Sequence, residues 1–297
     1  MIYTLTLNPS VDYYLHTDSL VIGATNRSKS ENLIFGGKGI NVSLMLKELG
    51  TDSTALGFIG GFTGDALESY LESIGQKTDF VKLKKGITRI NVKIKSDVET
   101  ELNSAGPDVS TDEYEKLISK LNTLKDGDTL ILAGKIPPSI PASAYAEISA
   151  MLSDRNIRIV VDAEGDSLLS SLKYNPFLIK PNLAELEGAV GKKLKSIDDI
   201  SSAAQYLQNL GAKNVLVSLG KEGALLLDEQ SNIHLQSAPD VTVINTVGAG
   251  DSMLAGFLAT IDKGYKTALE FATLVGSATA SSTGLATKTD IKSLQEK

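Results

Sequence analysis

Four short, almost uninterrupted apolar runs punctuate the chain: Thr129-Leu-Ile-Leu-Ala133, Ile157-Arg-Ile-Val-Val161, Phe177-Leu-Ile179 and Asn214-Val-Leu-Val217. Runs this short and this rich in branched residues predict parallel strands buried on both faces. Met1-Ile-Tyr-Thr-Leu-Thr-Leu7 predicts a further strand at the start. Between the runs the period changes. After Lys38, residues Val42, Met45, Leu46 and Leu49 form one apolar stripe, Lys47 and Glu48 lie off it, and the pattern stops at Gly50. That spacing predicts an amphipathic helix with a glycine stop. Met253-Leu-Ala-Gly-Phe-Leu-Ala-Thr-Ile261 predicts another helix. Strands alternating with helices imply an α/β fold, with a doubly wound, mostly parallel sheet flanked by helices.

Two stretches break this rhythm. Residues 12–35 and about 87–103 (Ile87-Thr-Arg-Ile-Asn-Val-Lys-Ile-Lys95, then Thr100-Glu-Leu-Asn103) alternate with a period of two, which predicts exposed antiparallel strands. They are expected to form a small β-sheet lid over the carboxyl edge of the main sheet, inserted into a single domain covering 1–297. The strand ends carry polar residues and glycines: Asn8-Pro9-Ser10-Val11-Asp12, Gly134-Lys135, Asp162, Lys180-Pro181-Asn182 and Ser218-Leu219-Gly220. Ligands of open α/β sheets bind beyond those ends, although ordinary turns put the same residue types there.

Composition narrows the chemistry. The 42% hydrophobic and 22% charged content is that of a globular chain, so disorder is excluded. No cysteine is present, which removes disulfides, thiolate metal sites and cysteine nucleophiles; two histidines, His16 and His234, are too few for a multi-histidine metal site. The opening apolar run is too short for a signal peptide, and none approaches the ~18 residues of a membrane span. A cytoplasmic location without a membrane partner is expected. A net charge of −7 argues against nucleic acid.

Two glycine-rich segments enter helices. Asn245-Thr-Val-Gly-Ala-Gly-Asp-Ser252 precedes the second predicted helix. Its small residues let the backbone approach a ligand, and helix N-terminal N–H groups favour an anion. Asp251 in that first turn can take a proton from an attacking hydroxyl, or it can be only a helix cap. In Phe35-Gly-Gly-Lys-Gly-Ile-Asn41, glycines clear space while Lys38 and Asn41 offer a cation and hydrogen bonds. It is neither a Walker loop nor a dinucleotide fingerprint, which disfavours an NAD-dependent oxidoreductase.

Together these segments resemble the PfkB, ribokinase-like carbohydrate kinase family over essentially the whole chain. Leu7-Asn-Pro-Ser-Val-Asp12, Gly36-Gly-Lys-Gly-Ile-Asn41, Thr88-Arg-Ile-Asn-Val-Lys93, Lys180-Pro-Asn-Leu-Ala-Glu185, Val217-Ser-Leu-Gly220 and Gly284-Leu-Ala-Thr287 are most similar to its hexose-phosphate branch, the 1-phosphofructokinases in particular. The resemblance implies ATP and Mg2+ as cofactors. It implies a hexose phosphate as substrate, foremost fructose 1-phosphate giving fructose 1,6-bisphosphate. Tagatose-6-phosphate kinase and 6-phosphofructokinase activities are alternatives, as is a non-catalytic sugar-phosphate sensor.

Residue by residue, the resemblance implies Asp251 as catalytic base, in a catalytic turn of Gly248, Ala249 and Gly250, with the N–H groups of Ala249, Gly250 and Asp251 stabilising the moving phosphoryl group. Asp12, Gly36, Gly37, Asn41 and Asn103 are expected on the sugar, and Arg89 and Lys38 on the phosphate that it already carries. Asn182, Ser218, Gly220, Gly223 and Thr246, again with Gly248 and Gly250, are expected around ATP, and the stretch 278–284 near adenine. Glu185 is expected to reach the metal through water. Lys180 is either a phosphate contact or structural. Two departures from the family pattern stand out: Lys135, where relatives commonly have Ser, is either a further phosphate contact or solvated, and the lid turn reads Asn103-Ser-Ala-Gly-Pro107. A homodimer through the lid is the assembly to look for.

Overall fold

The structure, a computed structural model, describes residues 1–296. The first part of the chain forms β1 (Ile2–Thr6), β2 (Ser10–His16), β3 (Ser30–Gly36), α1 (Lys38–Glu48), β4 (Ser53–Gly60) and α2 (Gly61–Ser73). Next come β5 (Lys77–Thr78), β6 (Val81–Leu83), β7 (Arg89–Lys95), β8 (Thr100–Leu102), α3 (Thr111–Leu121) and β9 (Thr129–Ala133). The middle holds α4 (Ala144–Met151), β10 (Arg158–Asp162), α5 (Asp166–Leu169), β11 (Leu178–Ile179), α6 (Leu183–Val190) and α7 (Ile197–Asn209). The last part is β12 (Asn214–Ser218), β13 (Ala224–Leu227), β14 (Ile233–Gln236), α8 (Ala249–Thr260), α9 (Tyr265–Ala280) and α10 (Lys288–Gln295).

The main sheet runs β14-β13-β12-β11-β10-β9-β1-β4-β5, with β6 also on β4. It is parallel from β5 through β12 and antiparallel over the β12–β13–β14 edge. The period of two sends alternate side chains to opposite layers. Leu130 and Leu132 pack with Leu5, Val161 and Leu117 on one face, while Ile131 pairs with Val160, Met45 and Phe257 on the other. Both faces are therefore apolar, as the uninterrupted runs require, and the doubly wound expectation holds. Helices α8 and α9 lie so close that a Cβ on Gly256 would come 3.1 Å from the Ala272 Cα.

The smaller sheet has the order β3-β2-β7-β8. Its strands match the two alternating stretches except that β2 starts two residues before the first stretch and β3 ends one residue after it, and residues 17–29 form a connection rather than strand. The expectation of antiparallel pairing fails at one place, since β2 and β7 run parallel, Ser10 opposite Arg89 and Asp12 opposite Asn91. The alternation gives this sheet two unlike faces. Ser10, Asp12, Arg89 and Asn91 share one, and Val11, Tyr13 and Ile90 the other. Strand β4, not anticipated, sits tightly on β1: Gly57 has φ 148, and a Cβ there would lie 2.0 Å from the Thr6 carbonyl oxygen.

Candidate active site

The carboxyl ends of β10 and β11 bring two charges into the interior. Asp162, the last residue of β10, is 0% exposed, and Lys180, just past β11, is 4% exposed. Charges so buried persist only when paired. Lys180 Nζ lies 3.2 Å from Asp162 Oδ2 in an ion pair, and Lys38 Nζ donates to Asp162 Oδ1 at 2.9 Å. Lys38 also reaches Glu185 Oε1 at 3.5 Å. Glu185 is held by a capping box at the start of α6: the Asn182 N–H donates to its Oε2 at 2.8 Å, and its own N–H donates to Asn182 Oδ1 at 2.8 Å.

Asp251 occupies the first turn of α8. The turn opens on Gly248 at φ 80, a left-handed conformation, and a Cβ there would meet Leu285 Cδ2 at 2.7 Å. The Ala249 N–H is engaged with the Thr246 carbonyl at 3.2 Å, and Ser252 N–H with Gly248 O at 2.8 Å. The intervening N–H groups of Gly250 and Asp251 have no backbone partner among the described residues, as expected at a helix N-terminus. Asn41 Nδ2, one turn into α1, donates to Asp251 Oδ2 at 2.8 Å.

The two buried carboxyls are electrostatically unlike. Burial alone would raise both. In Asp162 the charges of Lys180 and Lys38 overcome it and hold the carboxyl below its ordinary value. Asp251 is pushed up to about 6 by burial and by the Asp162 charge, against the pull of Lys180, the Asn41 bond and Lys38. Burial draws Lys38 down, but the carboxylates of Asp162 and Glu185 outweigh it and keep the ammonium above its ordinary value. Pairs of carboxyls pushed apart in this way are the usual source of a base that works near neutrality.

Beside Asp251 opens a cavity of about 780 Å³ lined by Asn182, Ser218, Gly220, Thr246, Ala249 and Gly250 at its polar end, and by Val243, Met253, Gly276 and Ala280 at its apolar end. Most residues expected around ATP therefore meet in one space of nucleotide size. Gly248 does not line it, and neither does Gly223. Its φ of 99 and a would-be Cβ 1.9 Å from Gln236 O mark it as the glycine of the β12–β13 turn.

On the polar face of the small sheet, Asp12 Oδ1 accepts from Ser10 Oγ at 2.8 Å and from Asn91 Nδ2 at 2.7 Å. The nearly buried Asn91 also accepts the Ser104 N–H at 3.1 Å, and Arg89 Nη1 donates to Ser104 O at 3.3 Å. Arg89 Nε is buried without a partner, and burial lowers the guanidinium from its ordinary value against the Asp12 charge. Gly37, at φ 139, packs so closely that a Cβ would lie 2.7 Å from Thr6 Cγ2; at Gly36 it would lie 3.2 Å from Asn41 Oδ1. Two expected sugar contacts stand apart from this cluster. Asn103 is exposed and donates to Glu101 Oε2 at 3.2 Å. Lys135 is 73% exposed and pairs with Glu164 at 3.2 Å, beside Pro137 and Pro138 in a separate hollow of about 570 Å³. Asp162, Lys180 and Asn91 are the residues of this network to which the sequence attached no firm role.

Residues 6–292 match the pfkB family of carbohydrate kinases. The chain belongs to this family. Among the relatives of this pfkB kinase, the Bacillus subtilis 1-phosphofructokinase is 40% identical over 296 residues, covering 99% of this chain and 97% of that protein. The D-tagatose-1-phosphate kinase of Bacillus licheniformis is 40% identical over 288 residues, covering 96% and 94%. Among solved structures, phosphofructokinase-2 of Escherichia coli with substrates and products superposes with a TM-score of 0.93 at 31% identity, covering 99% of this chain and 98% of that one. A tetrameric inhibited form of the same E. coli protein is also similar. This kinase thus has the ribokinase-like fold that the motifs implied. No helix among its described residues is long and apolar enough to cross a membrane.

Proposed function

We propose that this kinase transfers the γ-phosphoryl group of ATP to the 6-hydroxyl of a ketohexose 1-phosphate, foremost fructose 1-phosphate, with Asp251 as the base. One observation carries the reading. A carboxylate pushed up to about 6 stands at the head of α8, beside two N–H groups without backbone partners and a nucleotide-sized cavity. Proton transfer to Asp251 contributes about 10²–10⁴ in rate, and each well-aimed N–H about 10²–10³. The Gly250 backbone approaches the Lys180 ammonium so closely that a Cβ there would lie 3.2 Å away, which puts a fixed cation beside the developing charge. Asp12 fits the sugar hydroxyls. The buried, unpaired Nε of Arg89 suits the resident phosphate, since a guanidinium fork matches phosphate oxygens.

The donor set fits a magnesium ion that arrives with the nucleotide. No group of three or more His, Cys, Asp or Glu side chains could hold a metal among the described residues, so the protein offers no complete cage. Glu185 would hold the ion through water, because Mg2+ keeps several of its waters. When bound, it neutralises charge on the nucleotide phosphates.

Two of the relatives are named for kinases of ketose 1-phosphates, which supports that class over 6-phosphates. The tagatose enzyme's equal identity keeps D-tagatose 1-phosphate, the C4 epimer, as a second substrate to test. Comparing kcat/KM on fructose 1-phosphate, tagatose 1-phosphate, fructose 6-phosphate and tagatose 6-phosphate, by ADP release, decides the matter. The highest value is expected on a 1-phosphate. Preference for a 6-phosphate overturns the substrate, and no turnover on any of the four returns the reading to a sensor. We also propose a homodimer through the apolar face of the small sheet. Leu33 (53% exposed) and Phe62 (70% exposed) border an apolar hollow of about 440 Å³ between that sheet and α2.

A further inference from the structure

Lys38 combines two properties. It extends from the first turn of α1 at the edge of the small sheet, and its ammonium is spent on protein carboxylates rather than left free for a ligand. Nζ contacts Asp162 Oδ1 at 2.9 Å and Glu185 Oε1 at 3.5 Å. These oxygens belong to different elements, the end of β10 and the start of α6, and both lie within 3.5 Å of the one ammonium. Of the remaining oxygens, Asp162 Oδ2 lies 3.2 Å from Lys180 Nζ in an ion pair without a hydrogen bond, and Glu185 Oε2 accepts the Asn182 N–H at 2.8 Å. The Lys38 side chain is 36% exposed, so the point is open to solvent from one side.

Two carboxylate oxygens converging on one solvent-accessible point are what a hydrated divalent cation requires, with direct Mg–O distances of about 2.1 Å or a bridging water. We infer that Lys38 is a place-holding cation: its ammonium occupies the position between Asp162 and Glu185 that a divalent ion would otherwise take, and it keeps the nucleotide-free enzyme from binding one there. The lysine is tethered, carries one charge instead of two, and cannot be washed away. The carboxylates thus stay neutralised and in place before the nucleotide arrives. Glu185 would then be left to hold the nucleotide's own ion through water, with no second ion trapped on Asp162.

The inference rests on reading Glu185 as the carboxylate that faces the metal, and the experiment leaves out both nucleotide and sugar so that it can fail separately from the substrate assignment. Mn2+ binding to the intact protein is followed by electron paramagnetic resonance of the free ion, in the wild type and in Lys38→Met, Lys38→Arg and Lys38→Met/Glu185→Gln. Lys38→Met is expected to bind one Mn2+ per chain at least tenfold more tightly than the wild type. Lys38→Arg, which restores the charge, and the double variant are expected to match the wild type. Lys38→Ala repeats the measurement if the methionine variant does not fold. A folded Lys38→Met or Lys38→Ala that binds Mn2+ no better than the wild type overturns the inference, and so does binding that survives Glu185→Gln.

Discussion

Replacing Asp251 with asparagine sets catalysis against stability, and the structure gives the sign of each. The exchange keeps the shape of the side chain and leaves an amide oxygen that can still accept from Asn41, which now sits 2.8 Å away. What disappears is the ability to take a proton, so kcat should fall by about 10²–10⁴ while sugar-phosphate affinity changes little. The fold should gain. A carboxyl raised from 3.8 to about 6 holds its proton more tightly in the folded chain than in the unfolded one, and its ionised form therefore opposes folding. That cost is absent below about pH 3.8, grows as pH rises toward 6 and is complete above it, reaching about 3 kcal/mol. Asp251→Asn should accordingly melt several degrees higher than the wild type at pH 7, and the gap should nearly close at pH 4. Calorimetry at the two pH values, alongside ADP-release kinetics, tests both halves. Wild-type kcat/KM should also fall about tenfold per pH unit below 6, a limb that the variant lacks. A variant that melts below the wild type at pH 7, or that retains most of its turnover, would refute the reasoning.

Two further outcomes follow from the small sheet. Arg89→Ala should raise KM for the sugar phosphate roughly 10- to 100-fold with little change in kcat, the usual loss for one charge-assisted phosphate contact; an unchanged KM removes Arg89 from the site. Phe62→Glu puts a charge in the proposed dimer contact and should weaken association at least tenfold by analytical ultracentrifugation, while kcat/KM at the Asp251 end is followed separately. An unchanged association constant, or a wild type that sediments as a monomer, discards the dimer.

What could be read from the sequence depended on how local the cause was. Asp251 and its glycines lie within one turn of chain, and the strands β9 to β12 declare themselves because both their faces are buried. The parallel pairing of β2 with β7 was not readable, since alternation fixes which face a residue takes but not which neighbour it meets. Strand β4 escaped because Ser53-Thr-Ala-Leu-Gly-Phe-Ile-Gly60 mixes small polar residues with glycines; Gly57 is there for contact with Thr6 of β1, a partner that no local pattern names. Asp162 was visible only as a residue after an apolar run. Its importance comes from Lys38, 124 residues earlier, and Lys180. The same nonlocality decides Lys135: its position after β9 left a phosphate contact and a solvated side chain equally open, and the side chain lies exposed against Glu164.

The junction at residues 36–38 has a mechanical consequence. Strand β3 ends at Gly36 and α1 begins at Lys38, leaving Gly37 as the only residue between them, and Gly37 itself is wedged against Thr6. There is no slack in this joint. A tilt of the small sheet would be passed to the first turn of α1, where Asn41 donates to Asp251 Oδ2 at 2.8 Å. In the function proposed above, a sugar held at Asp12 and Arg89 would bear on this joint, and the Asn41 bond within reach of it is one that lowers the proton affinity of Asp251. The contacts proposed for the substrate and the base proposed for catalysis thus meet at one short joint of chain.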